Sequence, residues 1–571
     1  MGGLSRRNFL RGAAVSAGAV ALAGGWVPAG RIDAAHAEQP SPPSLPSGVR
    51  PYLQRYQNWS REVVTSPLWH VTAQSEDTVV ALANWAHANG WTIRPLGYSH
   101  NWSPFAVANG TRDAQILMVN MQSINRVTSN STTVTAGAGA SLDAILNHLD
   151  WRGRSIAHHP AVGSVSIAGV LQIAGHGTGV PANRERKPTG HSFGAVANIV
   201  TTLRAVVWDE ETGSYVARAF DRTHPDMGAL LVGLGRVFLT QVTLRHGPGQ
   251  HMRCRSNIWT RGSEVLGAPG SSRRTIDREL ASTGRIEITW FPFTSNPWTK
   301  TWSLASPILP PFGAIPALGP YNYVFADAIP RPLQNMITSV VNNQSRTPAF
   351  GQLMAQITSS SLLALRDLWG RSSALMRYVR ANTLLMTSSG YVVLCKRSDV
   401  QWVLHEFYKA HEAQVQAYRS RRRWPMNGPI EIRVSGIDDP ADSTVNGAVE
   451  ALLSPTRRRP DHPEWDTAVW IGTLSLPRTP HAPEFYAEFE DTMWRLFDTD
   501  RTGIRVEWSK AWGFTSEGAY TSNEFISQRI PESFDKGQPA GARFADAVAI
   551  FDRLDPHRIY DSPLLRQMMT A

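Results

Sequence analysis

The sequence predicts an α+β protein of two domains, and three observations predict it. Helix and strand patterns alternate from Ser75 to about residue 248, which builds one layered α+β unit. Beyond residue 249 the texture changes: Trp, Phe and Pro become frequent, and strand-like runs separated by helical stretches give a mixed sheet-and-helix cap domain. The chain has 571 residues, 42% of them apolar and 20 of them Trp, more than one core holds.

The N-terminus, SRRNFLRGAAVSAGAVALAGGWVPAG, sets Arg6 and Arg7 before a short Ala/Gly-rich stretch, and Ala35-His36-Ala37 offers a cleavage site. This is the pattern of a twin-arginine export signal over residues 1–37, so a secreted or periplasmic protein is expected. A membrane-crossing helix needs about 18 strongly apolar residues, and glycines and Pro28 interrupt this stretch. The mature chain of 534 residues keeps 52 basic and 45 acidic residues, because residues 1–37 hold four Arg and one Asp; net charge falls from +10 to +7. That balance keeps a protein soluble and names no nucleic-acid partner. The runs Arg421–Arg423 and Arg457–Arg459 lack interleaved aromatics and read as solvated faces. Two cysteines, Cys254 and Cys395, are too few for a disulfide framework, and a single bridge is left open.

SEDTVVALANWAHANG places Val79, Leu82, Ala83 and Ala86 at helical spacing between a cap at Ser75 and a stop at Gly90. Thr92–Leu96 reads as a strand leading into the loop RPLGYSHNWSP (Arg94–Pro104). Strands follow at Gln115–Val119 and Thr132–Ala136, and Ser141 caps the helix of GAGASLDAILNHL. That GAGAS lacks the third glycine of a dinucleotide fingerprint. In the second half RIEITWFPFT (Arg285–Thr294), YVVLCKR (Tyr391–Arg397) and PIEIRVSG (Pro429–Gly436) read as strands. SPILPPFGAIPALGP (Ser306–Pro320) cannot be helical, since prolines recur through it. It reads either as a core-covering loop or as an apolar surface loop that admits a greasy ligand or touches a membrane. GHSFG (Gly190–Gly194) fits GxSxG, but a nucleophile elbow follows an apolar strand and the charged NRERKPT precedes Ser192, so a hydrolase is set aside.

Closely spaced glycines in AVGSVSIAGVLQIAGHGTG (Ala161–Gly179) let main chain approach a ligand without a Cβ in the way, and runs of free N–H groups suit a pyrophosphate. With RPLGYSHNWSP before it and GLGRVFLTQVTL (Gly233–Leu244) after it, this segment resembles the FAD-binding half of the vanillyl-alcohol oxidase/p-cresol methylhydroxylase superfamily. The chain is most similar to that superfamily's sterol-oxidising class II cholesterol oxidases, which carry covalent FAD. The resemblance implies a PCMH-type FAD domain over 38–248 with its core at about 64–248, a substrate-binding cap over 249–502, and a segment, 503–571, returning to the flavin. It implies cofactor contacts from Pro95, Gly97, Tyr98, Ser99, His100 and Asn101, from Gly163, Ser164, Ser166, Ile167, Gly169, Gly175, His176 and Gly177, and from Gly235 and Val237. It also implies a covalent 8α-histidyl link through His100. A neutral imidazole is a nucleophile at neutral pH, where lysine is protonated and cysteine mostly thiol. No cysteine lies between Ala161 and Gly179, so one attachment is expected, with His176 a structural residue of the loop.

Period-two alternation puts Ile430, Ile432 and Val434 on one face of a strand and Glu431, Arg433 and Ser435 on the other. By itself this is an exposed ion pair worth ~0–1 kcal/mol. The resemblance makes the pair catalytic and adds Glu507 and Lys510 from VEWSK (Val506–Lys510). Glu431 is then the base for a hydroxyl proton, Arg433 steadies developing oxyanion charge or holds Glu431, and Lys510 faces the charge of a reduced flavin. Glu287 is either an acid/base that moves a double bond in a sterol ketone or a structural carboxylate. The implied reaction is oxidation of a 3β-hydroxysterol to the ketone with O2 reduced to H2O2, with or without a Δ5 to Δ4 shift. The partners implied are a hydrophobic alcohol and O2, with no metal, transient membrane-surface contact and a monomeric chain. Two other readings stand: a sugar-alcohol or aldonolactone oxidoreductase, which the aromatic, proline-rich second half disfavours, and a non-catalytic secreted sterol-binding protein.

Overall fold

The computed structural model describes residues 41–569 apart from 113, 318, 324–330, 363 and 381–384, and the expected export signal lies outside these. The described residues form one compact unit, in which the sheet system changes between residues 248 and 251. A four-stranded sheet orders Tyr52–Gln57, Val64–Thr72, Ile116–Asn120 and Thr92–Leu96, the last three parallel. An antiparallel five-stranded sheet orders Val127–Ser129, Thr133–Gly137, Phe238–Arg245, Val200–Asp209 and Ser214–Asp221. Beyond these a nine-stranded sheet runs Ile315–Pro316, Asp367–Arg371, His251–Asn257, Trp298–Ala305, Arg285–Trp290, Ile430–Gly436, Thr467–Ser475, Thr387–Cys395 and Gly503–Val506.

Local signals set the first of these layers. The helix Glu76–Asn89 starts where Ser75 Oγ accepts the Thr78 N–H at 3.2 Å and stops at Gly90, whose φ of 66° only glycine adopts cheaply. Its buried face, Val79, Leu82, Ala83 and Ala86, is the one the spacing predicts. Burying each of the larger two stabilises the unit by about 1.5–3 kcal/mol. Ser141 caps Leu142–Asp150 in the same way, accepting the Ala144 N–H. The strand Thr92–Leu96 has the predicted bounds, and it aims the chain at the loop carrying His100.

Arg457 and Arg459 are buried, not solvated: Arg457 pairs with Glu450 at 3.3 Å and Arg459 with Asp461 at 2.7 Å, and only Arg458 and the earlier run lie outward. Both cysteines are buried and free. Ser192 is buried, accepting N–H groups from Gly194 and Asn198, with no strand delivering it to a pocket. Of Ser306–Pro320, the described residues form an open loop with one two-residue strand, and Phe312 stands fully out of the surface.

Candidate active site

The loop after Leu96 is held from both sides. Arg94, fully buried, donates to the carbonyls of Ala106 (3.0 Å), Phe105 (2.7 Å) and Gly235 (3.0 Å), tying the strand to the far end of its loop and to the Gly233–Val237 turn. Asn58 Nδ2 donates to the carbonyls of Asn101 and Trp102 at 3.0 Å, and the Trp59 N–H donates to Ser99 O at 2.7 Å. Ser99 has φ 54°, and the Trp59 ring lies 4.9 Å from the His100 imidazole. The second loop meets the first at Gly97, where a Cβ would come within 2.3 Å of Ser166 Oγ. Ser166 in turn caps the short helix Ile167–Gln172.

Between these loops opens a cavity of about 470 Å³ that continues to the face of the nine-stranded sheet. Thirteen of the sixteen expected cofactor residues line it: Pro95, Gly97, Tyr98, Ser99, His100, Asn101, Ser166, Gly169, Gly175, His176, Gly177, Gly235 and Val237. Gly163, Ser164 and Ile167 do not. Gly163 faces away, its N–H donating to Tyr321 Oη, while Ile167 turns into the apolar core as the first residue of its helix. The residues present fit an FAD. His100 Nδ1 is buried with no hydrogen-bond partner, and burial, reinforced by the Lys510 charge, pushes the imidazole down to about 4, so it is neutral.

All five expected catalytic residues line the same cavity. Strand register brings Glu287, Arg433 and Glu431 together: Glu287 pairs with Lys300 on one neighbour and Arg433 on the other, and Thr289 with Glu431. Glu287, 2% exposed at its side chain, takes Lys300 Nζ at 2.7 Å on Oε2 and Arg433 Nη2 at 2.6 Å on Oε1, and accepts the Tyr378 hydroxyl on Oε2. Burial favours its neutral form, but Arg433 and Lys300 outweigh that and hold it below the usual carboxylate range. The same burial lowers Lys300, which Glu287 only partly offsets. Arg433 Nη1 also lies 3.5 Å from Glu431 Oε2, and Lys510 Nζ 3.7 Å from that oxygen.

Lys510 sits with its ammonium 4.2 Å above the Trp102 ring. Room for it comes from Gly390, opposite Gly472 in the sheet, where a Cβ would meet Lys510 Cγ at 2.4 Å. Glu507 Oε1 accepts the Ser509 hydroxyl at 2.7 Å and lies 3.6 Å from His176 Nε2, whose ring stacks on Trp470 at 3.5 Å. Burial alone would raise Glu507; the His176 imidazole, the Lys510 charge and Ser509 overcome it and hold the carboxyl at about 2.

Sequence reasoning missed Tyr378, Lys300, Trp102 and Arg94. Lys300 had a signal: in PWTKTWSL it shares a strand face with Trp298 and Trp302, and aromatic ring faces attract a cation. Tyr378 had none. The other wall, Phe291, Met354, Ile357, Met386 and Leu474, is apolar.

A glycine-rich cavity that runs from a neutral, orphaned imidazole to a bank of acids and cations beneath an apolar roof defines a class, the FAD-dependent oxidoreductases. Consistently, residues 67–186 match the family described as FAD binding domain, and residues 251–570 match the family described as cholesterol oxidase, substrate-binding. The chain belongs to this cholesterol oxidase family within the vanillyl-alcohol oxidase/p-cresol methylhydroxylase superfamily. Among solved structures it is similar to a solvent-stable cholesterol oxidase (39% identity, TM-score 0.91) and to the cholesterol oxidase of B. sterolicum (36%, TM-score 0.91), each covering 93% of this chain and 100% of its own. More distantly it resembles the L-gulono-1,4-lactone dehydrogenase of Mycobacterium tuberculosis, 24% identical over 69% of this chain and 80% of that protein.

Proposed function

We propose that the chain oxidises the 3β-hydroxyl of a sterol to the ketone, with FAD held covalently through His100 and O2 taking the electrons to give H2O2. In this reading it works as a monomer outside the cytoplasm after twin-arginine export. The observation that carries the proposal is that one cavity joins the carboxylates and cations of the sheet, Glu287, Lys300, Glu431 and Arg433, to a wall of carbon formed by Phe291, Met354, Ile357, Met386 and Leu474. A rigid apolar body with one hydroxyl fits such a chamber; a polyol would leave its hydroxyls unpaired against carbon.

The bound FAD supplies a hydride acceptor. The residues divide the rest. Glu287 and Glu507 are both held ionised by close cations or donors, which makes them weak bases. Glu431, with 23% side-chain exposure and longer contacts of 3.5 and 3.7 Å, is the carboxylate free to take the hydroxyl proton. Arg433, anchored by Glu287, presents its charge where the alcohol oxygen turns negative, and Lys510 adds a second cation on that side. Pinned by three donors, Glu287 is assigned the anchoring role rather than that of the acid/base for a double-bond shift.

The test supplies purified protein with cholesterol, L-gulono-1,4-lactone and xylitol, following peroxide and, separately, reduction of an artificial dye. Peroxide from cholesterol alone supports the proposal. Comparable kcat/KM on the lactone overturns the substrate, and dye reduction without peroxide overturns the oxidase.

A further inference from the structure

We infer that the turn Tyr56–Trp59 aims His100 at the flavin, and that Tyr56 is a positioning residue for the covalent link rather than for binding of FAD. This rests on the attachment through His100 proposed above. The strand Tyr52–Gln57 turns five of its six side chains to solvent, and only Tyr56 is buried, at 4% exposure. Backbone geometry sends it inward. The ladder to Val64–Thr72 bulges at this point, with Arg55 opposite Pro67 but Gln57 opposite Val64, and the Tyr56 N–H goes to Thr65 Oγ1 at 3.1 Å. A bulge re-aims a side chain, here into the wall of the cavity that Trp59, Ser99 and His100 also line.

There the Tyr56 hydroxyl meets the Ser99 hydroxyl, near the Arg94 charge. Burial outweighs both and pushes the phenol up to about 12, so the proton between the two oxygens is retained at neutral pH. Ser99 needs such a partner: its φ of 54° lies in the left-handed region, which a residue carrying a Cβ keeps only where its surroundings hold it. The other holding groups come from the same turn. The Trp59 N–H donates to Ser99 O at 2.7 Å, and Asn58 Nδ2 donates to the carbonyls of Asn101 and Trp102. The residues on both sides of His100 are thus gripped, while the Trp59 ring packs 4.9 Å from the imidazole.

Attachment is more demanding than binding. An imidazole N–H and a C–H of the flavin 8α-methyl are lost, a C–N bond forms in their place, and the two protons and two electrons released pass to O2 as H2O2. The nitrogen must stand at that carbon for the bond to form, and a misplacement of about 1 Å costs on the order of a hundredfold in rate. The residues that fit FAD extend far beyond this loop, to Ser166, Gly169, Gly175, Gly177 and Gly235. A change at Tyr56 therefore separates the two events, sparing the hold on FAD and slowing the bond.

The experiment follows full-length wild type, Tyr56→Phe, Ser99→Gly and the double variant in cells after a short pulse of synthesis. In-gel fluorescence of the denatured chain reads bonded flavin, and absorbance of the folded protein reads total flavin. Phenylalanine keeps the ring and loses one hydrogen bond, so attachment should slow about three- to tenfold at unchanged flavin content. Beside Ser99→Gly, where the hydroxyl pair is already broken, the same change should have no further effect. Equal time courses for wild type and Tyr56→Phe overturn the inference. So does a parallel loss of total flavin, which would make Tyr56 a binding residue, and so does an undiminished effect beside Ser99→Gly, which would assign Tyr56 to packing alone. A wild-type chain that never fluoresces once denatured would instead strike the covalent reading itself, and the inference with it.

Discussion

Replacing Glu287 with Gln removes the anion shared by Lys300 and Arg433, and the structure dictates how the loss divides. Arg433 keeps Glu431 at 3.5 Å, whereas Lys300 loses its one carboxylate partner, at 2.7 Å, inside a site where its side chain is 2% exposed. Breaking a buried pair from one side costs about 3–5 kcal/mol, because a desolvated charge is left behind. Scaled to ~530 residues, the entropy of unfolding gives about 1 °C per kcal/mol, so Tm should fall by about 3–5 °C at pH 7. The stranded ammonium has a folded pKa far below its unfolded one, so the penalty is full at neutral pH and fades as pH rises toward about 10.5, where the unfolded chain gives up that proton too. Glu287→Gln/Lys300→Met removes the stranded charge and should recover at least about 1.5 kcal/mol relative to the sum of the single changes. Thermal melts of the flavin-loaded proteins at pH 7 and 9 read these numbers. Additive single and double changes, or a Glu287→Gln penalty that does not shrink at pH 9, would refute the reasoning.

Other outcomes follow from the same geometry. His100→Ala should leave the flavin extractable after acid denaturation and slow turnover without abolishing it; colour that stays with the denatured polypeptide would place the attachment elsewhere. Glu431→Gln should lower kcat by about 10²–10⁴ while leaving Tm within ~1 °C, since the side chain is partly exposed and its contacts are long; a collapse in stability without loss of turnover would return the base to Glu287 or Glu507. His411, caged by Phe407, Phe485 and Phe489 with neither nitrogen bonded, is pushed down to about 3 by burial. The unfolded chain takes up that proton first as pH falls below about 6.5, so the stability is whole above that value and is lost toward pH 3, by about 2 kcal/mol at pH 5. Urea unfolding of His411→Leu at pH 7.5 and 5.0 should show a correspondingly smaller acid penalty than the parent.

What could be read in advance was what neighbours along the chain decide. Ser75 and Gly90 bound a helix because a cap and a left-handed stop act over four residues. Glu431 and Arg433 share a face because the pleat repeats every second residue. The sixteen cofactor positions came from three short motifs, and the three that miss the cavity, Gly163, Ser164 and Ile167, sit where the motif bends into a helix that turns one side to the core. Long-range convergence was not legible. Tyr378 reaches Glu287 across 91 residues and Arg433 reaches it across 146, with no local pattern marking either meeting. The run Arg457–Arg459 misled for a related reason: charge along a sequence says nothing of the carbonyls and acids that fold around it, and Arg457 finds Glu450 and the Ala542 carbonyl.

Lys300, Glu287, Arg433 and Glu431 ride on three adjoining ribbons whose spacing backbone hydrogen bonds enforce, whereas Met354 and Ile357 belong to a separate helix laid across the top. Redox chemistry and guest selection are thereby inherited by different pieces of chain. Mutations scattered over residues 347–362 can reshape which molecule is admitted without disturbing an atom of the reacting quartet, while moving one ribbon by a single residue would turn its charged side chains to the opposite side of the sheet.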